Sequence, residues 1–146
     1  MQPVKTLFSL QEHYQKKKRS SHYDLRILDP KKRTLWSWAF PKRKFPEHGE
    51  KVLAIRTVNH PISYMYFEGR LNEFDMVTLV DKGECTIIVL KYNLLIVQFK
   101  GKYLNGTYNF IRSFSSKNSW LVTKSRKENF NESKKQRNSN TRKSKE

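Results

Sequence analysis

The sequence predicts a mainly β fold of about seven short strands, arranged as a small barrel or a sandwich. Short runs of β-branched, aromatic and aliphatic residues recur along most of the chain. Turn-forming Gly, Pro, Asn and Asp separate these runs. No long segment repeats its apolar residues with the helical period. A length of 146 residues suits one domain of this kind.

The predicted strands follow one another at short intervals. HYDLRIL and TLWSWAF come first, joined by DPKKR, whose Asp-Pro and charged residues are ordinary turn chemistry. KVLAIRTV is the next strand, and MVTLVDKGECTIIVL is predicted to be a hairpin that turns near Lys82-Gly83. LLIVQFKGKYLNGTYNFIRSF predicts two strands that turn at Asn105-Gly106, and SWLVTK closes the set. A short helix is expected between residues 8 and 18.

The charge of the chain predicts a polyanionic partner. The formal net charge is +17 and the pI is about 10.1, which favours nucleic acid before an anionic membrane surface. Cys85 is the only cysteine, so an intrachain disulfide framework is excluded. The N-terminus lacks the apolar run of a signal peptide, and no stretch approaches a transmembrane span. We expect a soluble, cytoplasmic, nucleoid-associated monomer that does not enter membranes.

The end of the chain differs in composition from the rest. Residues 124–146 hold one aromatic and no aliphatic residue, with nine Lys or Arg against three Glu. Such a segment cannot bury enough apolar surface to offset the entropy lost on ordering. The sequence therefore predicts an ordered domain over residues 1–123 and a disordered basic tail over residues 124–146. The tail is expected either to contact phosphates electrostatically or to serve only as a solubilising segment.

The segment SSHYDLRIL spaces three polar side chains two residues apart. In an extended strand, alternate side chains point to opposite faces. One face then carries His22, Asp24 and Arg26. The other carries Tyr23, Leu25 and Ile27, an aromatic and aliphatic row typical of a buried face. The polar row is either the solvent face of a strand or part of a functional site.

Further histidines make the second interpretation concrete. His13 precedes His22, and His60 lies in NHPISYMYFEG with Tyr64 four residues further on. Two imidazoles and a carboxylate suit a divalent transition metal such as Mn or Zn. An arginine and a third histidine could hold a phosphate beside that metal. Composition and spacing leave open the alternative that these histidines are hydrogen-bonded structural residues.

Several blocks of the chain, in order, resemble the 3′-phosphoesterase domain of the bacterial end-joining DNA ligase D. HYDLRI is similar to HYDFRL in that family, LWSWAFPK to LKSWAVPKG, and NHPISYMYFEG to DHPLDYADFEG. VDKGE, FKGKYLNGTYNFIRS and SWLVTK resemble later blocks of the family less specifically. Together these blocks run from about residue 8 to about residue 124.

The resemblance implies a compact β-barrel with the site in a crescent groove. With the short helix expected above, the predicted fold is a small closed or nearly closed β-barrel with a short flanking helix. It implies a manganese-preferring phosphodiesterase and phosphomonoesterase that acts on the 3′ ends of primer strands. Such enzymes remove a 3′-terminal ribonucleoside and then the 3′-phosphate, leaving a 3′-hydroxyl. The implied context is DNA repair by end joining, with primer-template DNA and a ligase or polymerase as partners.

By position, the resemblance assigns the metal ligands. They correspond to His13, His22 and Asp24, and His13 follows a glutamine as the first histidine of the family motif does. About three extra residues, mostly basic, separate His13 from His22 in this chain. A longer loop must therefore bring His13 to the metal.

The resemblance also assigns contacts to substrate. Arg26 corresponds to the phosphate-binding arginine, His60 to the histidine at the scissile phosphate, and Tyr64 to the tyrosine beside it. His60 either donates a hydrogen bond to the phosphate or protonates the leaving oxygen. Lys42 is a candidate groove cation for the nucleic acid, and the alternative is a solvated surface lysine.

A second class of function stays open, a catalytically degenerate nucleic-acid-binding β-barrel. After FEG, the glycine-rich loop of the family is replaced by the shorter RLNEFDM. This change and the net charge of +17 favour a binding module. The intact HYD motif, together with Arg26, His60 and Tyr64, favours the enzyme.

Overall fold

The protein is built almost entirely of antiparallel strands in a computed structural model, which describes residues 2–126. The strands are joined by turns and by one short 3-10 segment, Ile62–Tyr64. In chain order they are β1 (Val4–Gln15), β2 (Ser20–Leu28), β3 (Leu35–Phe40), β4 (Val52–His60), β5 (Gly69–Arg70), β6 (Asp75–Lys91), β7 (Leu94–Lys100), β8 (Asn105–Arg112) and β9 (Ser119–Lys124).

All strands except β5 close into a barrel. Around the ring the order is β1, β2, β3, β4, β9, β8, β7 and β6, and the pairing of β6 with β1 completes it. The short β5 lies outside the ring and pairs with the start of β6. The predicted barrel is confirmed, but the flanking helix is wrong because residues 2–126 contain no α-helix. Over this range, no helix has the length and apolar character needed to cross a membrane.

Large apolar side chains fill the barrel. Phe8, Leu10, Leu25 and Phe110 are fully buried. Their aromatic rings pack edge to face, as Phe8 does with Phe99 at 5.0 Å between centroids. These core residues alternate with polar residues along β1 and β2, so the polar side chains point away from the core. The site described below lies on this outer face of the barrel wall.

The segment expected to be helical between residues 8 and 18 is β1 and the turn that follows it. The buried core residues Phe8 and Leu10 alternate with Ser9 and Gln11, which is the period of a strand. β1 is hydrogen-bonded to β2 on one side and to β6 on the other. These distant partners satisfy its backbone groups, and local sequence does not reveal them.

The predicted hairpin at Lys82-Gly83 is wrong, because β6 runs unbroken from Asp75 to Lys91. Gly83 lies within the strand, opposite Phe8 of β1. A Cβ at Gly83 would lie 2.7 Å from the Lys100 carbonyl oxygen. Glycine is therefore required here by the close approach of two strands.

The predicted turn at Asn105-Gly106 is also misplaced. Those residues already pair with Lys100 and Phe99 of β7, and the connection is formed by residues 101–104. The carboxylate of Asp81 in β6 holds this connection by accepting backbone N–H groups of residues 102, 103 and 104 at 2.7–3.0 Å. The turn is thus stabilised by a side chain from another strand.

β9 ends at Lys124, so the first residue of the predicted basic tail belongs to the barrel. The tail from residue 127 onwards lies outside the described residues. The predicted division into a domain and a disordered tail therefore stays a prediction.

Candidate metal centre and phosphate pocket

Three potential metal ligands meet on the outer face of β1 and β2. The register places His13 directly opposite His22, with ring centroids 4.8 Å apart. Asp24 Oδ1 lies 3.2 Å from His22 Nε2, and Asp24 Oδ2 lies 3.8 Å from His13 Nδ1. The basic residues 16–19 form the turn of the hairpin, and the strands on either side keep the two histidines in register. We call these three residues the His-His-Asp cluster.

The His-His-Asp cluster fits a divalent transition metal. One donor atom from each residue lies within 4.8 Å of the other two. Two imidazole nitrogens and a carboxylate oxygen form a mixed donor set that Mn and Zn accept. Asp24 is buried and both histidines are partly buried, which limits competition from water at the donors.

His13 is held by a second carboxylate that sequence reasoning missed. Its Nε2 lies 3.1 Å from Asp75 Oδ2. With its Nε2 proton donated to Asp75, His13 would present the Nδ1 lone pair to a metal ion in the cluster. A carboxylate partner of this kind orients a metal-ligating histidine and raises its basicity. The pairing of β1 with β6 brings Asp75 beside His13, and the local sequence does not predict this contact.

The electrostatics of the cluster favour a charged carboxylate. Burial by itself raises the pKa of Asp24, but the adjacent imidazoles of His13 and His22 and the charge of Arg26 outweigh burial and hold that pKa well below its usual value. The nearby Asp24 carboxylate raises the pKa of His13, with a further contribution from Asp75, and together they outweigh burial. A cation entering the cluster therefore meets an ionised Asp24 at neutral pH.

A buried arginine adjoins the cluster. Arg26 Nε donates to Gln11 Oε1 at 3.0 Å, and Nη1 donates to Ser37 Oγ at 2.8 Å. Its Nη2 lies 3.9 Å from Asp24 Oδ2. Burial lowers the pKa of Arg26, but a guanidinium stays protonated in proteins. The bonds to Gln11 and Ser37 fix the plane of the guanidinium. Sequence reasoning did not identify these two partners.

His60, at the end of β4, completes this side of the site. Its Nδ1 lies 3.3 Å from Arg26 Nη1 and 3.1 Å from Ser37 Oγ. Because Arg26 can only donate, the hydrogen-bond network assigns Nδ1 as an acceptor and places the ring proton on Nε2. Burial and the Arg26 charge lower the pKa of His60. The lowered pKa favours the neutral imidazole, which carries its single ring proton on Nε2.

A pocket of about 460 Å³ contains these groups. It lies between the barrel wall and a roof formed by the segment that connects β4 to β6. Gln11 Nε2 donates to the carbonyls of Tyr64 at 2.9 Å and Phe67 at 3.1 Å, which ties the roof to the wall. The Tyr64 ring lies 5.2 Å from the His60 ring. The predicted catalytic and metal-binding residues all line this pocket: His13, His22, Asp24, Arg26, His60 and Tyr64.

Lys42 is placed differently from the other candidate residues. It is exposed in the turn that follows β3 and does not line the pocket. Its neighbour Arg43 lies 3.5 Å from Glu12 of β1, so the turn is close to the end of β1 that carries His13. Contact of Lys42 with nucleic acid stays a prediction.

The fold and the site together define a class of protein. Proteins of this class are closed antiparallel barrels whose outer face carries potential metal ligands, here the His-His-Asp cluster, beside a preorganised arginine and histidine. Residues 11–112 match the family described as the DNA Ligase D 3′-phosphoesterase domain. The chain belongs to this family.

Curated proteins with related sequences are much longer than this chain. The Multifunctional non-homologous end joining protein LigD of Mycobacterium bovis is 30% identical over 123 residues, covering 79% of this chain and 15% of that protein. A LigD of Mycobacterium tuberculosis, described as a multifunctional non-homologous end joining DNA repair protein, gives the same values. LigD of Pseudomonas aeruginosa is 30% identical over 117 residues, covering 72% of this chain and 14% of that protein. The chain thus spans about a seventh of the length of these relatives.

Proposed function

We propose that this chain is a metal-dependent phosphoesterase that processes DNA 3′ ends during repair by end joining. It removes a 3′-terminal ribonucleoside and then the 3′-phosphate, and it leaves a 3′-hydroxyl. The observation that carries the proposal is that the His-His-Asp cluster and the Arg26–His60 pair line one pocket. Family membership and the names of the LigD relatives support the reaction class and the pathway.

His13, His22 and Asp24 are the residues that would hold the metal, and the family resemblance makes manganese the first choice. A divalent metal bound there polarises a phosphoryl oxygen and neutralises negative charge that develops on it. Asp24 contributes a full negative charge to the binding of the ion. Asp75 keeps the Nδ1 lone pair of His13 directed towards the cluster.

Arg26 and His60 are the residues that would bind the reacting phosphate. The guanidinium, fixed by Gln11 and Ser37, offers charge-assisted hydrogen bonds to phosphoryl oxygens. Donors fixed in advance lower the barrier because their bonds strengthen as charge develops in the transition state. A neutral His60 with its proton on Nε2 suits a donor to the same phosphate better than a general acid. The contact with the Tyr64 ring orients the His60 ring.

The proposed substrate is the 3′ end of primer-template DNA that carries a terminal ribonucleotide or phosphate. A net charge of +17 supports a nucleic-acid partner. The 3′-hydroxyl product is what a ligase or polymerase of an end-joining pathway consumes. We place the chain, as a monomer, in the cytoplasm with the nucleoid, and we retain Lys42 as a contact to DNA outside the pocket.

A primer-template with one 3′-terminal ribonucleotide tests this proposal. With manganese, the 5′-labelled primer should pass through a 3′-phosphate and end as a shorter strand with a 3′-hydroxyl. No product should form with a chelator present, or in Asp24→Asn, which lacks the charged ligand. Glu84→Gln is the matched control, because it neutralises an exposed carboxylate of β6 and should retain the parent rate.

Binding measured on the same DNA separates the enzyme from a binding module. Tight binding without any change at the 3′ end, with manganese and with other divalent metals, would show that the barrel has kept its partner and lost turnover. That result would overturn the proposed enzyme and favour the catalytically degenerate, basic nucleic-acid-binding β-barrel.

A further inference from the structure

A basic and aromatic surface adjoins the pocket at the free end of the β1–β2 hairpin. Two shallow depressions meet there, around the turn at residues 16–19 and the loop before β6. Their lining residues include Tyr14, Lys16, Lys17, Arg19, Phe74 and Met76, which we call the hairpin surface. Tyr14 is 43% exposed and Phe74 is 36% exposed, so both rings are accessible.

The hairpin surface lies on the opposite face of the strands that carry the metal cluster. Tyr14 follows His13 in β1 and pairs with Met76, so both side chains point away from the His13 face. The loop before β6 borders both regions, since Leu71 lines the pocket and Phe74 lines the hairpin surface. Residues 71–74 of this loop thus connect the edge of the pocket to the hairpin surface.

The two sides of the hairpin surface are fixed to each other. The backbone N–H of Lys16 donates to the Phe74 carbonyl at 3.0 Å. Asn72 Oδ1 accepts the backbone N–H of Phe74 at 2.7 Å, which holds the loop in a tight turn. The backbone of Phe74 is therefore held in place before any ligand binds, which reduces the entropy lost on binding.

The chemistry of the surface matches a single nucleic-acid strand. Residues 14–19 and 70–76 hold five Lys or Arg against two carboxylates, and one of these, Asp75, is engaged by His13. Lys17 Nζ lies 4.3 Å from the centroid of the Phe74 ring, so cation and aromatic ring are interleaved. Proteins bind single strands with this combination, in which cations pair with phosphates and bases stack on rings.

We propose that the hairpin surface binds a single-stranded segment of the nucleic acid whose 3′ end occupies the pocket. A base stacks on Phe74, and Lys16 and Lys17 pair with the adjacent phosphates. The substrate class rests on the proposed function, but the binding does not depend on turnover. The basic turn at residues 16–19 joins the two strands that carry His13 and His22, so the surface and the metal cluster share one hairpin.

Binding of a labelled single-stranded oligonucleotide, measured with a chelator across a range of salt, tests the cations. The double variant Lys16→Gln, Lys17→Gln should bind more weakly and lower the slope of log affinity against log salt by about 1.4, or about 0.7 for each phosphate that is no longer neutralised. The matched double variant Lys31→Gln, Lys32→Gln removes two exposed cations from the β2–β3 turn and should keep the parent slope. An equal reduction of the slope in both double variants would overturn the proposal.

A second pair of variants tests stacking. Phe74→Leu should weaken binding of a normal strand about tenfold, and it should leave binding of a strand of abasic sites unchanged. Phe114→Leu changes a fully exposed ring outside the surface and should have no effect. Parent-like binding by Phe74→Leu would contradict the assigned surface.

A 3′-phosphorylated mononucleotide is too short to reach the surface and separates the two proposals. If the hairpin surface only binds the strand, all four variants should hydrolyse this mononucleotide at the parent rate. A selective loss of turnover in the Lys16, Lys17 variant or in Phe74→Leu would contradict that role. Absence of turnover in the parent would contradict the proposed function, whereas the binding results would still decide the surface.

Discussion

At the scale of single residues, the pocket depends on buried polar side chains that are hydrogen-bonded to one another. Gln11 uses both ends of its amide, accepting from Arg26 and donating to the roof. Ser37 lies between Arg26 and His60 and bonds to both. A buried polar group that loses its partner costs about 1–3 kcal/mol, so Gln11 and Ser37 hold Arg26 in one orientation. Arg26 can then act as a fixed donor.

Asp75 provides a test of the metal centre that needs no substrate. We expect Asp75→Asn to weaken manganese binding by about 10- to 100-fold, because an amide supports the proton on His13 Nε2 less well than a carboxylate. Calorimetric titration of manganese into the free protein measures this change. Glu73→Gln, which alters an exposed carboxylate two residues away, should bind like the parent. Equal affinities for Asp75→Asn and the parent would remove Asp75 from the site.

The division of labour between Arg26 and His60 is testable with two substrates. Arg26→Ala and His60→Ala should each lose about 10²–10³ in rate, on both the 3′-ribonucleoside diester and the 3′-phosphate, because each removes a donor to the same phosphate. Single-turnover rates at saturating manganese measure this. Lys42→Ala, outside the pocket, should affect binding more than rate. A loss for His60→Ala confined to the diester would instead identify His60 as the general acid.

At the scale of elements, β1 links the core to the site. Its inward side chains fill the barrel, and its outward side chains contribute Gln11 and His13 to the pocket. The register with β6 shifts between Leu10 and Gln11, and such a bulge bends the strands locally. Glu68 of the roof accepts the backbone N–H of Leu79 at 2.8 Å, beside this bulge. The bend and the roof together shape the pocket.

The connection between β7 and β8 depends on Asp81. Its buried carboxylate accepts four backbone N–H groups, from residues 82, 102, 103 and 104. We expect Asp81→Asn to lower the free energy of unfolding by about 2–3 kcal/mol, because an amide nitrogen then faces donors that it cannot accept. Urea denaturation measures the change, and Glu84→Gln should stay within about 0.5 kcal/mol of the parent. A similarly small change for Asp81→Asn would contradict this role.

At the scale of the whole molecule, a strongly basic protein carries a local acidic cluster. Lys and Arg number 30 against 13 Asp and Glu, so the overall field attracts polyanions. Asp24 and Asp75 both lie beside His13, where the barrel brings β1, β2 and β6 together. The general charge suits capture of nucleic acid, and the local charge suits a cation at the reacting end.

The basic C-terminal region should contribute to capture without affecting chemistry. Residues 127–146 contain seven Lys or Arg and three Glu. Deleting them should flatten the slope of log affinity against log salt, since each phosphate neutralised adds about 0.7–0.9 to it. The single-turnover rate at saturating protein should stay at the parent value. A large fall in that rate would place this region in the active fold.

The sequence by itself determined the β class, most of the strands and the two faces of β2. These features are local, because alternation with period two and turn residues act over a few positions. The resemblance of short motifs, also local in sequence, identified His13, His22, Asp24, Arg26, His60 and Tyr64, which the barrel brings into one pocket.

Only the tertiary structure decided which strands pair, and several sequence-based expectations failed for that reason. β1 is a strand because β2 and β6 lie on either side of it, and β6 is continuous because Gly83 is needed where β7 approaches closely. Asp75 and Ser37 reach the site through pairings between distant segments. Hydrogen-bond partners so far apart in sequence leave no local pattern, so they can be identified only from the closed barrel itself.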